Sequence, residues 1–273
     1  MCKLAACVGK PFSLKTIENF YNRFSSSNPH AAGYALYHDN SVLLGKQPGY
    51  GTALFARDKN LIAKTLPQTS VGLFHVRFAT HGSPSDNKNN HPILHSLNGK
   101  VKSMIIHNGM VSTDKNLPTE GKTDTEQILS YWDQEGPECL AKFSGNAAIV
   151  VMDCGKIYVY HHRAPLYYQE TDEGIYFHQD HRMHDKNVPE NIVFEVNTLS
   201  LVPVLSVSMK SLLEMPYLTC SSSRQSPFVR ANDFWNSYQD DEDGDGEKIE
   251  EEESWEELCK RYGLSGQGMM GEE

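Results

Sequence analysis

The chain turns apolar almost at once, because residues 4–8 (LAACV) form an unbroken run of the kind that enters a core as a strand. In residues 14–24, Leu14, Ile17, Phe20, Tyr21 and Phe24 recur at three- and four-residue spacing. That spacing predicts an amphipathic helix. Strand-like runs follow at 33–37, 42–44, 71–79 and 103–107, while 80–101 is rich in Gly, Pro, Asn and Ser and reads as a loop. A second helix is expected from Thr123. Thr123-Asp124-Thr125-Glu126 offers capping residues ahead of an apolar stripe of Ile128, Leu129 and Trp132. Further strands are expected at 147–152, 157–160, 175–178, 192–196 and 199–203. Many of these runs lie only a few residues apart, so hairpins and antiparallel pairing should dominate. Two helices among about ten strands predict an α+β fold, its sheets packed face to face with helices outside.

After about residue 207 the periodicity fades. Residues 207–239 read as a linker or extension and 240–273 as an acidic tail that is largely disordered. Charge sharpens this division. The chain of 273 residues has a formal net charge of −10, yet fourteen Asp or Glu and three Lys or Arg lie within 240–273 alone. The first 239 residues are close to neutral. Neither part has the clustered basic footprint expected for nucleic acid or an anionic membrane surface. No apolar run reaches the roughly 18–20 residues of a spanning helix. Six cysteines without a CxxC pair argue against a zinc ribbon and against a disulfide framework. Leu4-Ala5-Ala6-Cys7 has the look of a lipoprotein cleavage box, but only three residues precede it. A cytoplasmic protein is therefore expected. In the tail, Asp241, Asp243, Asp245, Gly246 and Glu252 satisfy a calcium-loop spacing. Lys248 stands where that loop holds an aliphatic residue, so a solvated acidic tail and no bound metal or cofactor is the expectation. A short helix over 254–264 could carry Trp255, Leu258 and Tyr262 on one face.

The candidate chemistry begins at Cys2. Removal of Met1 would leave a thiol and a free α-amine on one residue. An α-amine titrates near 7.7–8.0 in reference peptides, by order of magnitude, so it can serve as a general base for its own thiol. Four further segments accompany it: His75-Val76-Arg77-Phe78-Ala79-Thr80-His81-Gly82, Asn90-His91-Pro92, His107-Asn108-Gly109 and Thr123-Asp124-Thr125-Glu126. Each has an ordinary alternative. Arg77 could be a surface ion-pair partner, Asn108-Gly109 a hairpin turn, and Asp124 a residue favoured by a helix dipole. His81 and His91 could be solvated loop residues.

Taken in order behind Cys2, these segments resemble the class II glutamine amidotransferases, and most closely the glutaminase half of hexosamine-phosphate synthase. The resemblance covers roughly residues 2–206. It implies an N-terminal-nucleophile (Ntn) hydrolase fold, a four-layer αββα sandwich of two mainly antiparallel sheets. It also implies a role for each matching residue. Cys2 would be the nucleophile, with Asn108 and Gly109 forming the oxyanion hole. Arg77 would pair with the α-carboxylate of L-glutamine and Asp124 with its α-ammonium. Thr80 and His81 would line the pocket, and Phe78 would keep the aromatic surface often supplied there by Trp. His91 would sit near the mouth. Arg163-Ala164-Pro165-Leu166 matches a recurrent family segment and reads as structural. The implied reaction is hydrolysis of glutamine through a γ-glutamyl thioester. Ammonia would pass to a separate synthase subunit, docked through the tail. Two alternatives remain: a stand-alone amidohydrolase of a γ-glutamyl or related amide, and a non-catalytic binding module with this fold.

Overall fold

The computed structural model describes residues 2–80, 82–113, 123–180, 185–198 and 200–209, all within one compact unit. Two antiparallel sheets lie face to face. The first has seven strands, ordered β11-β9-β10-β1-β4-β2-β3. These are Lys186–Asn187 (β11), Tyr167–Thr171 (β9), Gly174–His178 (β10), Lys3–Gly9 (β1), Val71–Arg77 (β4), Ala31–His38 (β2) and Ser41–Pro48 (β3). The second sheet has six, ordered β13-β12-β8-β7-β6-β5. They are Ser200–Ser206 (β13), Ile192–Asn197 (β12), Lys156–His162 (β8), Phe143–Asp153 (β7), Lys100–Thr113 (β6) and Ile93–Leu97 (β5). Helices Leu14–Phe24 (α1) and Gly51–Thr65 (α2) cover the first sheet, and Asp124–Glu135 (α3) covers the second. This is the α+β, four-layer αββα arrangement.

The continuous apolar run of β1 follows from burial on both faces. Leu4, Ala6 and Val8 point between the sheets, where they meet Met104, Ile106 and Val150 of the second sheet. Ala5 and Cys7 point the other way, toward Ile17, Tyr21, Leu54 and Phe55 of the helices. Full burial of a side chain such as Leu4 contributes ~1.5–3 kcal/mol. α1 starts on Ser13, whose Oγ accepts from Thr16 N–H at 3.1 Å, and Tyr21 Oη donates to the Gly33 carbonyl at 3.0 Å. α3 starts on Thr123, whose Oγ1 accepts from Glu126 N–H at 3.2 Å, and it buries Ile128, Leu129 and Trp132.

Three local expectations give way. Residues 51–65 form a helix that the apolar pattern does not announce, because Asp58 sits between the buried Leu54 and Ile62. Its carboxylate faces inward and accepts from Tyr34 Oη at 2.9 Å, so a hydrogen bond stands where the pattern called for an apolar side chain. The expected loop 80–101 contains β5. The run expected at 103–107 continues as β6 through Asn108 and Gly109, which pair with Ala148 and Ala147 inside a ladder. Asn-Gly here is strand, not turn. Val207 and Met209 are buried against the α3 side of the second sheet. The expectations for residues 210–273, the calcium spacing and the 254–264 helix included, lie outside the described residues.

Candidate active site

Cys2 stands one residue before β1, and β1 pairs with β4 in the register Lys3↔Val76. The ladder therefore sets Cys2 beside Arg77 and Phe78. Phe78 N–H donates to Cys2 Sγ at 3.3 Å, and Sγ lies 3.4 Å from the Phe78 carbonyl oxygen. Burial pushes the thiol above its ordinary range, while the Phe78 hydrogen bond and the Arg77 charge pull it down. On balance the thiol form is favoured over the thiolate. Phe78 itself is exposed, with its ring 4.7 Å from that of His30, whose Nδ1 accepts from Ala79 N–H at 2.8 Å.

Arg77 ends β4 almost fully buried. Its Nη1 donates to Asn90 Oδ1 at 2.8 Å and its Nη2 to the Gly82 carbonyl at 3.1 Å. Asn90 is completely buried and holds the surrounding loop as well. Its Nδ2 donates to the Pro84 carbonyl at 2.8 Å and to Asn87 Oδ1 at 3.0 Å, while its own carbonyl accepts from Lys46 Nζ at 2.9 Å. Burial pushes Lys46 down to about 8. Thr80 is exposed just past this strand end. His81 lies outside the described residues.

His91, expected near a pocket mouth, is buried. Its carbonyl oxygen packs where a Cβ on Gly33 would come within 2.0 Å, so only glycine at 33 admits this close approach. Its Nδ1 lies 2.9 Å from His75 Nε2, which also lies 3.0 Å from the His107 carbonyl oxygen. One Nε2–H on His75 can donate toward both acceptors, which leaves His91 Nδ1 unprotonated. His107 Nδ1 lies 3.0 Å from Thr125 Oγ1. Burial holds all three rings below the ordinary histidine range, His75 at about 3. They are neutral. Among the described residues, no group of three or more His, Cys, Asp or Glu is placed to hold a metal.

Asp124 opens α3, its Oδ1 accepting from Thr125 N–H at 2.9 Å and its Oδ2 from Val111 N–H at 3.4 Å. It is close enough to Cys2 and Arg77 to perturb both electrostatically. Asn108 is buried on β6 and its Nδ2 donates to Gln179 Oε1 at 2.9 Å. Gly109 adopts φ +146°, and a Cβ there would meet the Asn146 carbonyl oxygen at 2.1 Å. The β1/β4 ladder brings Cys2, Arg77 and Phe78 together, and a hydrogen bond ties Asn108 to Gln179. The roles of Asn90, His30, His75 and Gln179 are not assigned by the sequence. Asn90 and His75 stand inside segments singled out above, whereas nothing in His178-Gln179-Asp180 marks it.

The comparisons with known proteins bear on this cluster. No protein-family model matches the chain. A glutamine–fructose-6-phosphate aminotransferase (isomerizing) of Streptomyces coelicolor is 30% identical over 148 residues, covering 51% of this chain and 23% of that protein. The Bacillus cereus enzyme of the same name is 26% identical over 187 residues, covering 61% and 30%. Among solved structures, the glutamine phosphoribosylpyrophosphate amidotransferase from B. subtilis superposes with a TM-score of 0.58 at 16% identity, covering 74% of this chain and 49% of that one. Over about half its length this chain is similar to glutamine–fructose-6-phosphate aminotransferases. It shares the Ntn-hydrolase sandwich with the B. subtilis amidotransferase and spans less than a third of the length of these curated relatives. The likeness is to part of each relative rather than to the whole. Among the described residues no helix is long and apolar enough to cross a membrane.

A cavity of about 790 Å³ lies elsewhere, between α1 and the outer face of the first sheet. Phe12, Phe20, Phe24, Phe74 and Tyr176 wall it, and Cys2 is not among its lining residues.

Proposed function

We propose that this chain hydrolyses the side-chain amide of L-glutamine, with Cys2 as nucleophile once Met1 has been removed. The α-amine of Cys2 takes the thiol proton, and Sγ attacks the amide carbon. The resulting oxyanion is held by the Asn108 side-chain amide and the Gly109 N–H, each such donor being worth on the order of 3 kcal/mol. The amine returns the proton to the leaving nitrogen and ammonia departs, leaving a γ-glutamyl thioester. Water, activated by the same amine, attacks the thioester and releases glutamate. Arg77 binds the α-carboxylate in a bidentate fork, Asp124 the α-ammonium, and Thr80, His81 and Phe78 border the substrate.

The observation that carries this reading is the neighbourhood of the Cys2 sulfur. It rests on the Phe78 backbone beside a buried Arg77, with an Asp124 carboxylate near enough to act on both. A zwitterion needs one fixed cation and one fixed anion, and Arg77 and Asp124, which both act electrostatically on Cys2, are a candidate for each. Intact mass, taken before and after treatment with an electrophilic glutamine analogue, tests the reading. Loss of Met1 and one adduct on Cys2 are expected. A retained methionine or an inert thiol removes the mechanism.

The destination of the ammonia is a second part of the proposal. A synthase subunit docked through residues 207–273 should raise glutamine turnover when added to the purified chain. Full turnover by the chain alone on a larger γ-glutamyl amide would instead make it a stand-alone amidohydrolase. If Cys2→Ala changes nothing measurable, the chain is a binding module.

A further inference from the structure

Gln179 follows β10 and is buried. Its Oε1 accepts twice, from Asn108 Nδ2 at 2.9 Å and from Leu4 N–H at 3.2 Å. Its Nε2 donates to the Pro165 carbonyl at 3.1 Å. Two of these three partners are main-chain groups with a fixed sense. The Leu4 N–H can only donate, so the atom of Gln179 facing it must be the oxygen. The Pro165 carbonyl can only accept, so the opposite end must be the nitrogen. With Gln179 fixed from both sides, the atom of Asn108 that touches Oε1 must be Nδ2.

An asparagine amide is nearly symmetric in shape, and turning it over exchanges a donor for an acceptor. For an oxyanion donor that exchange would be ruinous, because a carbonyl oxygen would then face the developing negative charge. Asn108 Oδ1 has no hydrogen-bond partner among the described residues, so nothing at that end resists a turn. The restraint comes from Gln179. Leu4 also lies two residues after Cys2 on β1, so the same oxygen joins the nucleophile's strand to the amide on β6.

We propose that Gln179 is a positioning residue that sets the polarity of the Asn108 amide, one Nδ2 hydrogen being taken by Gln179 and the other left for the oxyanion. The proposal rests on Asn108 being an oxyanion donor. It also gives 163–166 a purpose, since Pro165 supplies the carbonyl that orients Gln179.

A double-mutant cycle tests it on the full chain with glutamine as substrate. Gln179→Met keeps length and bulk but loses the strong acceptor. It should lower kcat about tenfold with KM within about twofold, since the interaction at stake exists mainly in the transition state. In an Asn108→Ala background the same substitution should change kcat by less than about twofold. Equal losses in both backgrounds would make Gln179 a structural residue only and overturn the proposal. If Asn108→Ala lowers kcat but Gln179→Met does not, Gln179 alone loses its role. If Asn108→Ala leaves kcat unchanged, the oxyanion reading falls and takes the Gln179 role with it. Should the Met variant fail to fold, Gln179→Asn, a shorter amide that withdraws the acceptor from Asn108, is carried through the same cycle with the same expected outcome.

Discussion

The two ends of the candidate site are built from different materials. The end assigned to chemistry comes from sheet. Cys2 leads into β1, while Asn108 and Gly109 lie inside β6, so ladder register fixes their backbone positions. The end assigned to recognition comes from a strand end, a loop and a helix start. Arg77 is gripped by Asn90 and Gly82, and Asp124 by the first turn of α3. Sheet backbone is held by many cooperative bonds, whereas the loop relies on a few side-chain contacts centred on Asn90. Geometry that must be met within a fraction of an ångström in a transition state thus sits on the stiffer support. The charges proposed to recognise a zwitterion tolerate more movement and sit on the looser one.

Substitutions at the stiff end should be the most damaging. Cys2→Ala is expected to abolish glutamine turnover while leaving glutamine binding measurable by calorimetry. Residual turnover above a few per cent would place the nucleophile elsewhere. Gly109→Ala should be nearly as severe. The added Cβ meets the Asn146 carbonyl oxygen at 2.1 Å and the residue must hold φ +146°, so the ladder has to shift and carry Asn108 with it. A variant with near wild-type kcat would show that the strand yields more easily than the comparison supposes. Asn108→Ala, which keeps the ladder, should cut kcat about 100-fold with KM little changed.

The same contrast explains what was legible in the sequence. α1, α3 and the apolar strand β1 follow directly from spacing, and α3 also from Thr123 as its cap. The site segments stand out because their residue types come in a specific order. α2 does not stand out, because the inward Asp58 satisfies Tyr34 rather than filling an apolar stripe. β5 is hidden inside a polar stretch and owes its strand to pairing with β6. The local Asn108-Gly109 turn preference is overridden by the β6/β7 ladder, which pairs both residues. His91 could not be placed from its polar surroundings, since burial against Gly33 and His75 depends on contacts distant in the chain. Gln179 carries no pattern, and its importance exists only in three dimensions.

At the looser end the expected effects move from kcat to KM. Arg77→Lys should raise KM for glutamine on the order of tenfold, because a point charge replaces a planar fork and the bonds to Asn90 and Gly82 cannot both be kept. The kcat should change much less. An unchanged KM would remove the carboxylate role from Arg77. A large loss of kcat at constant KM would mean that the two ends are not separable in the way the architecture implies.

The smallest expected effect concerns the seam between the ends. His75 precedes Arg77 by two residues, His91 follows Asn90, and His107 precedes Asn108, so the three buried rings join recognition loop to catalytic strand. Arg77 and Lys46 act on His91 electrostatically, and the Asp124 carboxylate lies 3.9 Å from His107. In the folded chain His75 titrates at about 3, against an ordinary value of 6.5. His91 and His107 are depressed as well. Below about pH 6.5 the unfolded chain therefore binds protons that the folded chain refuses, and stability falls as pH falls from there toward 3. It is complete above the ordinary histidine range. Denaturant midpoints measured at pH 7.5 and 5.5, before most carboxylates titrate, should be lower at the acid value. His75→Asn should reduce that difference even if it lowers both midpoints. A midpoint that does not move between the two pH values would mean that water or charge reaches the rings, and the seam would then be as loose as the loop it joins.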